Sequence, residues 1–224
     1  MLKHDKEQVR AKCCNLLGNL SRHSDYFYDS FLENKPLMSE LIKCLKDTSP
    51  QTRKFACYAV GNAGFHNAKL YSVMIPSIPA LIACLSDKED KTKANAAGAL
   101  GNLVRNTSEL VDEMINCGVL NELVKALKKS LTETENAPLS NSNSSCNSSN
   151  SNGNSNGKKE SSLKIFLFAI GNFCSFKKCV KELSKMGFDQ LISEIAKTNQ
   201  KDLTIQKYIS RIEEKKRTGE MGNL

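Results

Sequence analysis

Residues 12–20 read KCCNLLGNL, residues 55–63 FACYAVGNA, residues 95–103 NAAGALGNL and residues 165–173 IFLFAIGNF. Each stretch closes on a Gly-Asn pair set in small and apolar residues, at Gly18-Asn19, Gly61-Asn62, Gly101-Asn102 and Gly171-Asn172. The intervals between successive asparagines are 43, 40 and 70 residues. A recurring interval of about 40 residues marks a stacked-repeat architecture, in which no unit buries its apolar face alone and neighbours bury it together. The long third interval contains SNSNSSCNSSNSNGNSNG (140–157). Such a tract has too little apolar surface to offset the entropy of ordering it, so residues 132–161 are predicted to be a disordered insertion. Without those residues the third interval returns to about 40.

A second element recurs in phase: PLMSELIKCLKD from Pro36, PALIACLSDKED from Pro79, GVLNELVKALKK from Gly118 and GFDQLISEIAKT from Gly187, with Leu41, Leu81, Leu123 and Leu191 in equivalent places. Proline or glycine at the front and apolar residues at helical spacing predict a helix in each. A short third piece, such as YFYDSFLE or ELVDEMIN, precedes it. Three helices per unit predict an all-α, armadillo/HEAT-like α-solenoid with a right-handed superhelix, of about four repeats plus a C-terminal cap helix. Residues 1–131 would hold repeats one to three, and residues 162–224 the fourth repeat and the cap. The opening LKHDKEQVRAKCC matches LKDTSPQTRKFAC from Leu45, so the first repeat reads as truncated. A piece of a longer protein, or an end capped by a partner, is expected. LTIQKYISRIEEKKR, with its thin stripe of Leu203, Ile205, Tyr208, Ile209 and Ile212, reads as a solubilising cap.

The chain carries a net charge of +8, with 18 basic and 14 acidic side chains in residues 1–131, and 14 and 8 in residues 158–224. A basic C-terminal third opens an alternative, binding to nucleic acid or an anionic surface, but the cations are not interleaved with aromatics and read better as a solvated face. No apolar run reaches signal-peptide or membrane-spanning length, and the nine cysteines, among them Cys44, Cys57 and Cys84, lie in apolar helical patterns. A soluble, cytoplasmic chain with reduced core thiols is expected. Nucleotide-binding glycine loops, kinase signatures, a nucleophile elbow and HExxH are all missing from the sequence, and neither Cys13-Cys14 nor Cys174 and Cys179 joins a zinc pattern. No catalytic, cofactor or metal residue is therefore assigned. His23 and His66 fall at equivalent places just after Gly-Asn helices, which suits a helix-end role.

Glycine and asparagine both disfavour a helix interior, by up to about 1 kcal/mol each relative to alanine, so their fourfold recurrence needs a reason. Glycine permits close approach of neighbouring helices. Asparagine offers an acceptor and two donors on a short arm, the groups that grip the N–H and C=O of an extended chain. Steps of three, four and seven residues stay on one helix face and give four rungs. They are Lys12, Asn15, Asn19 and Arg22; Phe55, Tyr58, Asn62 and Phe65; Asn95, Gly98, Asn102 and Arg105; Ile165, Phe168, Asn172 and Ser175. Asn19, Asn62, Asn102 and Asn172 are the expected main-chain grips of a protein-binding groove, with Phe55, Tyr58 and Phe168 as apolar anchors, Asn15 beside them, and Lys12, Arg22 and Arg105 favouring acidic flanks. The alternative is structural, each asparagine bonding a neighbouring repeat's backbone.

The pattern A-L/V-G-N-L resembles the third helix of armadillo repeats, whose ladder asparagine holds a bound extended peptide in importin-alpha and beta-catenin relatives. Asn19, Asn62, Asn102 and Asn172 match that ladder. Importin-alpha relatives place tryptophan four residues earlier, where this chain has Asn15, Tyr58, Gly98 and Phe168, and the basic excess is wrong for a basic nuclear-localisation peptide. A nuclear-transport-type adaptor is therefore the second alternative. Residues 8–130, through QVRAKCCNLLGNLSRHSDYFY, RKFACYAVGNAGFHNAKLY and KANAAGALGNLVRNTSELVDEMINCGVLNELVKAL, resemble the C-terminal helical-repeat region of Fused-family serine/threonine kinases. That resemblance implies a non-enzymatic scaffold within a larger protein whose kinase domain lies elsewhere. It also implies roles in Hedgehog signalling or the ciliary axoneme, and kinesin-like or other signalling partners presenting an extended or helical segment. Nucleic acid and membrane are not expected partners.

Overall fold

The structure is a computed structural model that describes residues 1–135 and 162–221. It is built from α-helices. The order is α1 (Glu7–Leu20), α2 (Tyr28–Glu33), α3 (Lys35–Lys43), α4 (Pro50–Ala63), α5 (Tyr71–Met74), α6 (Ile78–Cys84), α7 (Asp90–Leu103), α8 (Val111–Asn116), α9 (Val119–Glu135), α10 (Ser162–Phe173), α11 (Lys177–Lys185), α12 (Phe188–Thr198) and α13 (Leu203–Met221). Short 3₁₀ turns at Cys44–Lys46 and Ile75–Ser77 extend α3 and precede α6.

Three-helix units repeat: α2-α3-α4, α5-α6-α7, α8-α9-α10 and α11-α12-α13, with α1 standing as the third helix ahead of them. The third helices stack in the order α1, α4, α7, α10, α13. Two departures from expectation follow. The predicted cap, α13, is a fifth third helix packed on α10 rather than an appended one. Helix α9 runs to Glu135, so residues 132–135, assigned above to the disordered insertion, continue a helix; the remainder of that insertion lies outside the described residues.

The small residues of the Gly-Asn stretches explain the tight stack. Ala59, Ala99 and Ala169, each two residues before a Gly-Asn glycine, are buried to within 1%. They face the glycine of the preceding third helix: a β-carbon on Gly61 would lie 3.3 Å from Ala99, and one on Gly101 only 2.8 Å from the Ala169 Cα. A side chain at Gly101 would thus collide with backbone, which cannot step aside as a rotamer can.

The loops that open the third helices also repeat. Asp47, Asp87 and Asp202 each accept the N–H of the residue two on, Ser49 (2.9 Å), Glu89 (3.0 Å) and Thr204 (3.0 Å). Such turns favour a helix start. Each aspartate also meets a cation on the preceding third helix: Arg10 holds Asp47 through two bonds (2.6 and 2.8 Å), Arg53 holds Asp87 (2.6 and 3.2 Å), and Lys164 pairs with Asp202 at 2.9 Å. The equivalent residue on α7 is Lys93, which pairs with Asp90 on its own helix.

The first helices lock onto the ends of the third ones. Tyr28 and Tyr71, buried and 43 residues apart, donate their hydroxyls to the carbonyls of Asn62 (3.2 Å) and Asn102 (3.0 Å). Gly118 and Gly187 open α9 and α12 with φ of 76° and 72°, a left-handed turn that a side chain would strain. Cys14, Cys44, Cys57, Cys84, Cys174 and Cys179 are buried free thiols, and burial pushes the last two up to about 12.

Candidate protein-binding face

The third helices present one side to their neighbours' backs and another outward. On the outward side, Phe55, Tyr58, Ile165 and Phe168 are half-buried, whereas Ala56, Cys57, Phe166 and Leu167 beside them are fully buried. The rung aromatics are therefore part-exposed, with Phe55 packing one side against the core. Lys12, Asn19, Arg22 and Arg105 are exposed, and Asn15, Asn62, Asn95, Gly98 and Asn102 are half-buried. Asn172 is the exception at 2% exposure.

The ladder amides do structural work in every joint. Asn62 Nδ2 donates to the Gly18 carbonyl (2.9 Å), Asn102 Nδ2 to that of Gly61 (2.9 Å), and Asn172 Nδ2 to that of Gly101 (3.1 Å). Asn95 likewise donates to the Lys54 carbonyl at 3.0 Å. One N–H of Asn62, Asn102 and Asn172 is thus engaged between repeats, and at these rungs a chain lying on this face meets only the other N–H and the oxygen. Those oxygens differ. Asn19 Oδ1 accepts the Tyr58 hydroxyl (3.1 Å) and Asn172 Oδ1 the Lys215 ammonium (3.2 Å), while Asn102 Oδ1 is buried with no hydrogen-bond partner among the described residues. At the place of Tyr58, the next helices carry Gly98 and Phe168, which have no hydroxyl to give.

The sequence reading missed the fifth rung. Lys215 follows Asn172 by 43 residues, the interval from Asn19 to Asn62, and Ile212 packs on Gly171 as Ala169 packs on Gly101. In register, α13 therefore offers Tyr208, Arg211 and Lys215. Tyr208 meets the Phe168 ring edge-on at 6.3 Å between centroids. The interval was legible, but Glu214-Lys215 replaces Gly-Asn and hid it.

Cations dominate this face. The Arg105 guanidinium lies over the Phe65 ring, 4.3 Å from its centre, and the Lys54 ammonium lies 4.6 Å from the centre of Phe55. Such stacking fixes a long flexible side chain without neutralising it. Burial, then the charges of Arg211 and Arg105, lower the pKa of Lys215 from its ordinary value. Arg22 and Lys12 stand at the far end and are not brought near Arg105. His66 takes the helix-end role: its Nε2, in the tautomer protonated there, donates to the Ser21 carbonyl at 3.1 Å, and Asn106 in the same place on the next unit donates to the Phe65 carbonyl at 3.0 Å. No helix among the described residues is long and apolar enough to cross a membrane.

Residues 76–105, which span α6, α7 and the Arg105 rung, match the family model for the Armadillo/beta-catenin-like repeat. A designed armadillo repeat protein in complex with peptide (KR)4 superposes with a TM-score of 0.74 at 19% identity, covering 96% of this chain and 78% of that one. A second designed armadillo repeat protein gives 0.74 at 18% identity, with 99% and 85% covered. The chain has the fold of an armadillo-repeat solenoid. Within that fold, its sequence is similar to Serine/threonine-protein kinase 36 of Mus musculus and of Pongo abelii, 32% identical to each over 80 residues. The matched stretch is 36% of this chain and 6% of either kinase. An armadillo stack has three helices per unit, which decides against the two-helix HEAT plan.

Proposed function

We propose that the chain is a non-enzymatic protein-interaction scaffold that holds a partner segment along the outward face of α1, α4, α7, α10 and α13. The carrying observation is the line of half-buried aromatics, Phe55, Tyr58 and Phe168, on a face whose adjoining positions are fully buried. Half-buried aromatic rings beside exposed cations suit a partner with apolar anchors and acidic flanks. The designed neighbour in complex with peptide (KR)4 is a contrast in charge, since here Lys12, Arg22, Arg105, Arg211 and Lys215 line the face. That contrast favours a scaffold over a nuclear-transport-type adaptor. The likeness to Serine/threonine-protein kinase 36 supports a docking or regulatory region of a larger Fused-type protein; a cytoplasmic or ciliary setting and a kinesin-like or signalling partner are part of the proposal by the Fused resemblance alone.

The test is a screen of the chain against degenerate peptide arrays, followed by affinity measurements on Phe55→Ala and Phe168→Ala. Both substitutions should weaken selected peptides by about tenfold or more, with little change in melting, because anchor truncation commonly costs over 1 kcal/mol. Unchanged affinity in both variants would sink the reading. Asn62→Ala and Asn102→Ala are poor probes, since each also removes a bond between repeats.

A further inference from the structure

The C-terminal end of the face carries a feature that the groove reading does not require. Asn172 sits nearly buried between two helices: its Nδ2 holds the Gly101 carbonyl of α7 at 3.1 Å and its Oδ1 takes the Lys215 ammonium of α13 at 3.2 Å. This one amide thereby draws the end of α7, where Arg105 follows Gly101 by one helical turn, toward the side of α13 that carries Lys215. Arg211 lies four residues before Lys215, on the same helix face. Arg105 is held in place by the Phe65 ring.

No carboxylate lies within ion-pairing distance of Arg105, Arg211 or Lys215 among the described residues. The contrast with other cations is direct: Arg10, Arg53, Lys164, Lys178 and Lys216 each have an acidic partner within 3 Å. Lys215 is half-buried and Arg105 and Arg211 are exposed; burial first, and then the positive charges of Arg211 and Arg105, lower the pKa of Lys215, so the three cations repel one another. An anion shared between them relieves the repulsion.

We infer that Arg105, Arg211 and Lys215 form an anion-binding pocket that receives a phosphorylated serine or threonine of the segment bound along the third helices. The inference rests on the groove reading. A phosphoryl group carries close to two negative charges and three acceptor oxygens, whereas a carboxylate carries one charge and two oxygens. Against three cations the phosphoryl group leaves less charge uncompensated, and an arginine fork can hold it through two bonds.

The experiment measures anisotropy of fluorescein-labelled degenerate peptide pools, identical except for phosphoserine, aspartate or serine at the centre, titrated with the full chain at several salt concentrations. The phosphoserine pool should bind about tenfold or more tighter than the serine pool, as expected for one or two charge-assisted bonds. Arg105→Gln with Arg211→Gln, both on exposed side chains, should abolish that preference while far-ultraviolet circular dichroism and melting stay the same. Equal binding of all pools, an aspartate pool as tight as the phosphoserine pool, or a preference that survives the double substitution would each overturn the pocket. Homopolymeric RNA binding that is lost in the double variant, together with no preference among peptide pools, would overturn it in favour of nucleic acid. No phosphoserine preference in the parent chain, with peptide binding still sensitive to Phe168→Ala, removes the pocket and keeps the groove. A phosphoserine preference insensitive to Phe168→Ala and Phe55→Ala keeps the cations as an anion site and removes the groove.

Discussion

The joint between α1 and α4 and the joint between α7 and α10 are built from the same residues and differ in how they close. In both, the asparagine of the later helix donates to the glycine carbonyl of the earlier one. At the first joint, a β-carbon on Gly18 would meet mainly the Tyr58 ring, and the Tyr58 hydroxyl satisfies Asn19 Oδ1. At the later joint, a β-carbon on Gly101 would meet the Ala169 backbone, and Asn102 Oδ1 has no partner. The later joint also bridges the insertion. The same four-letter pattern thus makes one joint padded by a movable side chain and another closed backbone to backbone.

Gly101→Ala should break the comparison most sharply. Overpacking against backbone typically costs 1–3 kcal/mol, and about 3 kcal/mol is expected here from denaturant unfolding. Gly18→Ala should cost less than about 1 kcal/mol, because the Tyr58 ring can turn. Equal losses would mean that the two joints are equally tight.

Asn172→Ala should cost about 2 kcal/mol, since it leaves the Gly101 carbonyl and the Lys215 ammonium without their shared partner in a buried place. Asn62→Ala, at a half-buried joint with one such bond, should cost about 1 kcal/mol.

Acid should act on the clamped joints. Hydrogen bonding from Arg10 holds the Asp47 carboxyl below its ordinary range; at Asp87 burial, the largest single effect, pushes the carboxyl up, and the Arg53 pair together with the Glu89 and Lys88 N–H groups brings it below its ordinary value. A carboxyl lowered on folding stabilises above its unfolded pKa, so this contribution is complete at neutral pH and fades as pH falls below about 4. Melting temperature should drop through that range in the parent chain and drop less in Arg10→Gln. A parallel decline in both would remove the clamp from the acid response.

The smallest expected effect is a gain. Phe168→Tyr sets a hydroxyl in the register from which Tyr58 reaches Asn19, aimed at the unpartnered Asn102 Oδ1, and should add about 0.5–1 kcal/mol. No gain, or a loss, would show that the two joints differ in geometry as well as in composition.

The repeats were legible because their small residues recur: Gly18, Gly61, Gly101 and Gly171 mark the third helices, and Leu41, Leu81, Leu123 and Leu191 the second. Periodic burial writes itself into sequence, since each unit must offer the same faces to its neighbours. The fifth third helix was not legible, because Lys215 fills an asparagine's place and Ile212 an alanine's, and a pattern search sees residue types before intervals. The rung positions were also readable, but their partners were not. Whether an amide on such a rung reaches a neighbour or stays open depends on the residue that the next helix sets against it, Tyr58 for Asn19, Gly98 for Asn62 and Phe168 for Asn102. The sequence alone determined a three-helix repeat, its period and the face on which Asn19, Asn62, Asn102 and Asn172 stand. Only the tertiary structure decided that those amides close the joints between repeats, and that Asn172 ties the Gly101 carbonyl of α7 to Lys215 of α13. Helix periodicity is local, but contacts between residues some 40 to 70 positions apart are set by how the helices stack.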